Sequence, residues 1–266
     1  MQPAGDLRVG QVRAHGREDL GLAVRHLDGA RHRSIIADRA RALRGSLDGV
    51  SAIAPRPDRA ILPPGLRAPA AAVSVLALLV FGVFAARYAD DSSAGRLDRR
   101  LQRIVDGGPA PADTVILLGN PVSVVVLAVL LAGVALALGH RRLAVLAILG
   151  PGLTGVATTT LKPIVGRTIE GGFAFPSGHT GGATALGVVA ALLLISVLRT
   201  ATSTSALLIA AGAVVSGGAM ALALVTERIH YPTDTVGGFC VAVAVVLTSA
   251  LVIERVPGAL PRSGGR

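Results

Sequence analysis

Residues 173–182 read FAFPSGHTGG and stand between two long apolar runs. Pro-Ser-Gly ahead of an apolar run is a turn followed by a helix start. The run that follows, at about 180–199, is long enough to cross a bilayer as a helix. A histidine, His179, nevertheless sits at its mouth. Outward from this point lie five more runs of similar length, at about 68–86, 121–139, 143–161, 205–225 and 235–253. The chain has 266 residues, 52% hydrophobic and 16% charged, with a mean hydropathy of +0.63; a soluble domain carries roughly a quarter charged residues. The expectation is an all-α, polytopic membrane protein with six transmembrane helices.

Polar flanks frame the spans. Residues 1–67 form an Arg-rich tail, 68–254 the membrane domain and 255–266 a short second tail. In the first tail, Leu20, Val24 and Leu27, and then Ile36, Ala40, Leu43 and Leu47, keep helical spacing. That spacing suits short helices resting on anionic lipid, or a partly disordered cytoplasmic tail. Pro55, Pro57, Pro63 and Pro64 suggest a linker. The formal charge is +10, and 12 of the 26 basic residues fall in 1–67. Aromatic residues for base stacking are nearly absent there, so no nucleic-acid partner is expected and topology is the better explanation. With the N-terminus inside, 18 basic residues lie in inner segments and 8 in outer loops. The positive-inside bias then puts both termini in the cytoplasm and the chain in the cell membrane. The single cysteine, Cys240, excludes an intramolecular disulfide. No cleavable signal peptide is expected, since the first 60 residues lack an apolar core. Between the first two spans, Leu97, Leu101 and Ile104 suggest a short interfacial helix in the loop 87–112.

Under this topology three polar groups meet at one membrane face. The third span runs out into LKPIVGRTIEGG, with Lys162 and Arg167. The fourth begins with PSGH, bringing Ser177, Gly178 and His179. The fifth and sixth meet at TERIHYPTDTVGG, with Arg228, His230 and Asp234. Ionisable groups at a bilayer are costly, so their convergence marks a site. A helix starting at Ser177 points free N–H groups and a positive dipole end outward, which suits an anion. Gly178 allows close approach to that backbone, and Lys162 and Arg167 add charge suited to phosphate. Asp234, four residues after His230, can fix its tautomer and support positive charge on it. One histidine can then attack while His179 acts as general acid. Each signal alone also has a structural explanation as cap, anchor or loop. Lys162 sharpens the set, because the other 25 basic residues are all arginine.

Lys162, then PSGH, then His230 with Asp234 resembles the PAP2 superfamily, which includes type 2 phosphatidic-acid phosphatases, bacterial undecaprenyl-diphosphate phosphatases and vanadium haloperoxidases. The resemblance covers about 68–253. It implies a six-helix core, a site facing away from the cytoplasm, and hydrolysis of a lipid phosphomonoester or diphosphate through a phosphohistidine, with no metal and no other cofactor. It implies phosphate binding by Lys162, Ser177 and Gly178, leaving-group protonation by His179, attack by His230 and orientation by Asp234. Two arginines of the family pattern are replaced: the position seven after the lysine is Ile169, followed by Glu170, and that six before the histidine is Leu224. Arg167 and Arg228 lie close by as candidate substitutes. The expected partners are a lipid phosphate and the bilayer. Two alternatives stay open: a protein of this fold that binds or helps transport a lipid phosphate without hydrolysing it, and a two-His-one-carboxylate metal centre at His179, His230 and Asp234.

Overall fold

The computed structural model describes residues 60–105 and 112–256. The short helices expected within 1–67 lie outside the described residues. A 3₁₀ turn at Pro64–Leu66 leads into α1 (Arg67–Arg87). Then follow α2 (Arg96–Val105), α3 (Ala112–Leu118), α4 (Pro121–Ala137) and α5 (Arg141–Val165). A hairpin of β1 (Thr168–Ile169) and β2 (Gly172–Phe173) precedes α6 (Gly178–Leu198), α7 (Thr202–Thr226) and α8 (Pro232–Arg255). The protein is an all-α multi-pass membrane protein. Five of its helices are long and apolar enough to cross a bilayer, and α4, at 17 residues, is a shorter apolar helix. All six match the expected apolar runs, and most extend further into the polar ends than hydropathy alone suggested.

Local chemistry sets the limits. Asn120 caps α4, its Oδ1 accepting the Val122 N–H at 3.1 Å, and Pro121 takes the first position, where its missing N–H costs nothing. At the far end of α5, Gly166 adopts φ 73° and ends the helix. A Cβ there would fall 2.2 Å from Asp90 Oδ1, so only glycine serves. The Asp90 N–H bonds Val165 O at 2.9 Å and the Thr168 N–H bonds Asp91 O at 3.0 Å, tying the exit of α1 to the exit of α5. Two features were not expected. One is α3, a short helix of 7 residues ahead of the Asn120 cap; the other is the hairpin, closed by Glu170 (φ 50°) and Gly171 (φ 82°), the paired positive φ values of a tight hairpin turn.

The most enclosed spans are α6 and α8, the least enclosed α1. Buried hydroxyls inside the bundle bond back to their own helices, as Thr154 does to Gly150 O at 2.7 Å and Thr184 to Thr180 O at 2.7 Å. This removes the cost of a bare polar group in a dry interior. At the site end, α6 and α8 touch backbone to backbone: the Ser177 N–H bonds Asp234 O at 3.0 Å. A Cβ on Gly238 would lie 2.1 Å from Ser177 O, so a side chain there would force the two helix starts apart. The expected interfacial helix is α2, and its apolar residues do face outward, Ile104 being 78% exposed. Its opposite face buries Asp98 completely.

Candidate active site

The structure gathers Lys162, Gly178 and His179 along one cleft of about 710 Å³ between α4, α5 and the start of α6. All three are half-buried. Thr158 and Thr159 add hydroxyls beside them, and the rest of the lining is mainly apolar. As expected, the PSGH segment delivers a helix start, with Ser177 as the cap residue. The Ser177 hydroxyl, however, is buried and turned inward: it accepts from the Thr180 N–H at 3.4 Å and from the Thr180 hydroxyl at 3.2 Å. The part of this turn that lines the cleft is Gly178 with His179.

His230 and Asp234 lie beside one another at the junction of α7 and α8. His230 Nδ1 is 3.6 Å from Asp234 Oδ2, an ion-pair separation, too long for a hydrogen bond. Nδ1 is buried and has no hydrogen-bond partner. Asp234 occupies the third position of α8 and accepts the Tyr231 N–H through Oδ2 at 2.9 Å. Its Oδ1 accepts from Arg167 at 2.8 Å. Both oxygens are thereby fixed in place next to the imidazole.

Arg167 does not take the place expected of a phosphate ligand. Its side chain is completely buried, and it bridges two completely buried carboxylates. One terminal nitrogen bonds Asp234 Oδ1 and the Thr233 hydroxyl; the other bonds Asp98 Oδ2 at 2.7 Å and Ser93 O at 3.4 Å. The guanidinium carbon stands 4.1 Å from the ring centre of Tyr88 and 4.7 Å from that of Tyr231. Both terminal nitrogens and both faces of the guanidinium are thus engaged, while its buried Nε has no hydrogen-bond partner. Burial holds the Tyr231 hydroxyl above its ordinary range, while the neighbouring guanidinium pulls it the other way. Arg228 is exposed, with φ 57° in the turn that leads to His230. Leu224 is fully buried in the core and Ile169 half-buried in the hairpin, so the two positions where the family pattern has arginine hold apolar side chains here.

Sequence reasoning missed Asp98, which also accepts the Thr233 N–H at 3.0 Å and so pins α2 to the first turn of α8. An acidic residue in a first helical turn is ordinary dipole chemistry, and nothing set it apart. Tyr88 and Tyr231 did carry a signal: the chain has only two tyrosines, and both stack on one arginine. Among the described residues, no three His, Cys, Asp or Glu side chains group so as to hold a metal ion.

With this geometry in view, the comparisons with known proteins fall into place. The model of the PAP2 superfamily matches residues 144–256, from the start of α5 to the end of α8, and so takes in every candidate residue named above except Asp98 and Tyr88. A transmembrane PAP2 type phosphatidylglycerolphosphate phosphatase from Bacillus subtilis is similar in structure over 70% of this chain and 98% of that one. The TM-score is 0.56 and the sequence identity 20%, a likeness of fold. No curated protein sequence matches the chain. The bundle is thus a PAP2-type membrane fold, and the chain resembles the PAP2 superfamily in sequence as well as architecture.

Proposed function

We propose that the protein is a membrane-embedded phosphatase acting on a lipid phosphomonoester or diphosphate. The observation that carries this reading is a single cleft lined by Lys162, Gly178 and His179, with Thr158, Thr159 and Thr160 beside them, and mainly by apolar side chains along the rest. A phosphate at the polar end meets the lysine and the free N–H groups of α6, while its tail stays in an apolar setting. His230 attacks phosphorus through Nε2, with the Nδ1 proton directed at Asp234. The bond from phosphorus to the leaving oxygen breaks as His179 donates its proton to that oxygen. Asp234 stabilises the positive charge that develops on the imidazole when the N–P bond forms. Water, deprotonated by the now neutral His179, then attacks the phosphohistidine and returns His230 and inorganic phosphate.

A second reading, a lipid-phosphate binder without turnover, draws support from the engagement of Arg167 with Asp98 and Asp234. One experiment separates the two. Purified protein should release phosphate from at least one of phosphatidic acid, phosphatidylglycerol phosphate and polyprenyl mono- or diphosphates, and excess EDTA should leave the rate unchanged. Binding without release across the panel would favour the binder; loss in EDTA restored by one added metal would favour the metal centre.

The count of basic residues, 18 inner against 8 outer, supports a site on the outer side of the membrane. Cysteines introduced at Ser92 and Ser203 in a Cys240→Ala background should label oppositely from outside intact cells, Ser92 reacting. Labelling at 203 alone would reverse the orientation.

A further inference from the structure

Asp98 is completely buried, lies outside the stretch that the family model matches, and has no part in the steps above. Three donors hold it. Its Oδ1 accepts the Thr233 N–H at 3.0 Å, and its Oδ2 accepts Arg167 at 2.7 Å and the Gly95 N–H at 3.1 Å. Arg167, the cation beside it, also pairs with the buried Asp234. One guanidinium thus stands between two carboxylates, and the buried trio keeps one net negative charge. Surplus charge in a dry interior is costly, so stability alone gives no reason for the second acid.

The surplus has a place to act. Asp234 Oδ2 stands 3.6 Å from His230 Nδ1, which is buried and has no hydrogen-bond partner. When the N–P bond forms at Nε2 and the bond to the leaving oxygen breaks, the imidazole becomes cationic with its Nδ1 proton toward Asp234. The cluster of His230, Asp234, Arg167 and Asp98 is then neutral. Had Arg167 faced Asp234 alone, that pair would be neutral from the start and would do little for the new cation. A fixed charge raises rate when it favours a charge that is absent from the ground state. Other ionisable groups face the same cluster. Lys162 acts on Asp234 and His179 on His230, but both line the cleft, where the substrate phosphate answers their charge. Asp91 acts on Arg167 while its carboxylate accepts from Ser93 at the surface, and Arg228 is exposed; water screens both.

Resting on the phosphatase reading for the step it assists, we propose that Asp98 is a positioning residue for the attack of His230: by sharing Arg167, it leaves on Asp234 the negative charge that the phosphorylated imidazole needs. Tyr88 and Tyr231 keep the guanidinium beside their rings, and the bond from the Thr233 N–H ties Asp98 to the turn that carries Asp234. The short helix α2 thereby contributes to the chemistry without touching the cleft.

The test reads the charge on His230 directly and turnover separately. The purified full chain, its six histidines labelled for NMR, is titrated with acid, and the His230 signal is assigned by its loss in His230→Ala. Asp98→Asn should lower the midpoint of that titration by about half a pH unit or more, since one negative charge no longer favours the proton. On the panel of lipid phosphates named above, its kcat should fall at least about tenfold while KM stays within about twofold. Asp98→Glu keeps the charge and should titrate near the wild-type midpoint, recovering most of the lost kcat. An unchanged midpoint in folded Asp98→Asn overturns the proposal, and so does a midpoint in Asp98→Glu as low as that in Asp98→Asn. Should Asp98→Asn not fold, Arg167→Met and its combination with Asp98→Asn make the same comparison. Arg167→Met should titrate above wild type and the combination should return to it; equal midpoints in those two overturn the proposal. A midpoint that shifts as expected in a protein that releases no phosphate sinks the phosphatase and leaves the charge coupling. Phosphate release with an unshifted midpoint sinks the role of Asp98 and leaves the phosphatase.

Discussion

His230→Ala is expected to cut phosphate release by at least roughly 10⁴-fold, the scale on which loss of a nucleophile is felt when it acts as part of a unit. It should also abolish any acid-labile phosphoenzyme trapped from labelled substrate. The reason is positional. His230 is buried beside a carboxylate whose two oxygens are already held by Arg167 and the Tyr231 N–H, so no other group stands where the imidazole does. The 3.6 Å gap between Nδ1 and Oδ2 is of the kind that closes when substrate binds. His179→Ala should behave differently. Its loss should slow an ordinary alkyl phosphate severely and a substrate with a good leaving group much less, because such a leaving group needs little protonation. Trapped phosphoenzyme in His230→Ala but none in His179→Ala would exchange the two roles.

Arg167→Met should destabilise the membrane domain by about 3–5 kcal/mol, because it removes the one cation between two completely buried carboxylates. The measured outcome is a marked fall in the thermal midpoint of the purified protein, accompanied by loss of turnover. Arg167→Met combined with Asp98→Asn should recover part of the midpoint, since one of the two orphaned charges is then gone. Lysine should rescue poorly: a point charge cannot bridge Asp98 and Asp234 while lying flat between Tyr88 and Tyr231. An unchanged midpoint with turnover lost would return Arg167 to the role of a direct phosphate ligand.

The spans were legible because hydrocarbon length is a one-dimensional property. Runs such as 180–199 and 235–253 announce themselves, and the structure only lengthens them. The Lys162, PSGH and His230–Asp234 groups were legible as neighbours because each stands at a span boundary on one side. What the sequence hid was the second partner of each charge. Arg167 reads as a phosphate ligand when only Lys162 is in view. Its side-chain neighbours Asp98 and Tyr88 lie 69 and 79 residues upstream, in a loop whose pattern advertised only the apolar face of α2. The rarity argument that singled out Lys162 applied equally to the two tyrosines. An aromatic belt at a membrane surface needs many such residues, where a guanidinium needs two.

The first and last spans close upon each other. α1 packs chiefly against α8, and Glu254, near the end of α8, accepts the Leu62 N–H at 2.7 Å while its other oxygen pairs with Arg67 at 2.7 Å. A ribosome delivers α1 well before α8. When α1 enters the bilayer its main neighbour is still unmade, and it must wait in lipid until the final helix emerges. Ser74, on the buried face of α1, is tolerated meanwhile because its hydroxyl is satisfied within its own helix by Ala70 O at 2.9 Å. Completion of the bundle thus waits on the synthesis of α8. A nascent chain cut short before α8 would lack His230's orienting carboxylate and the seat of its own first helix alike, leaving quality control an unpaired span to recognise.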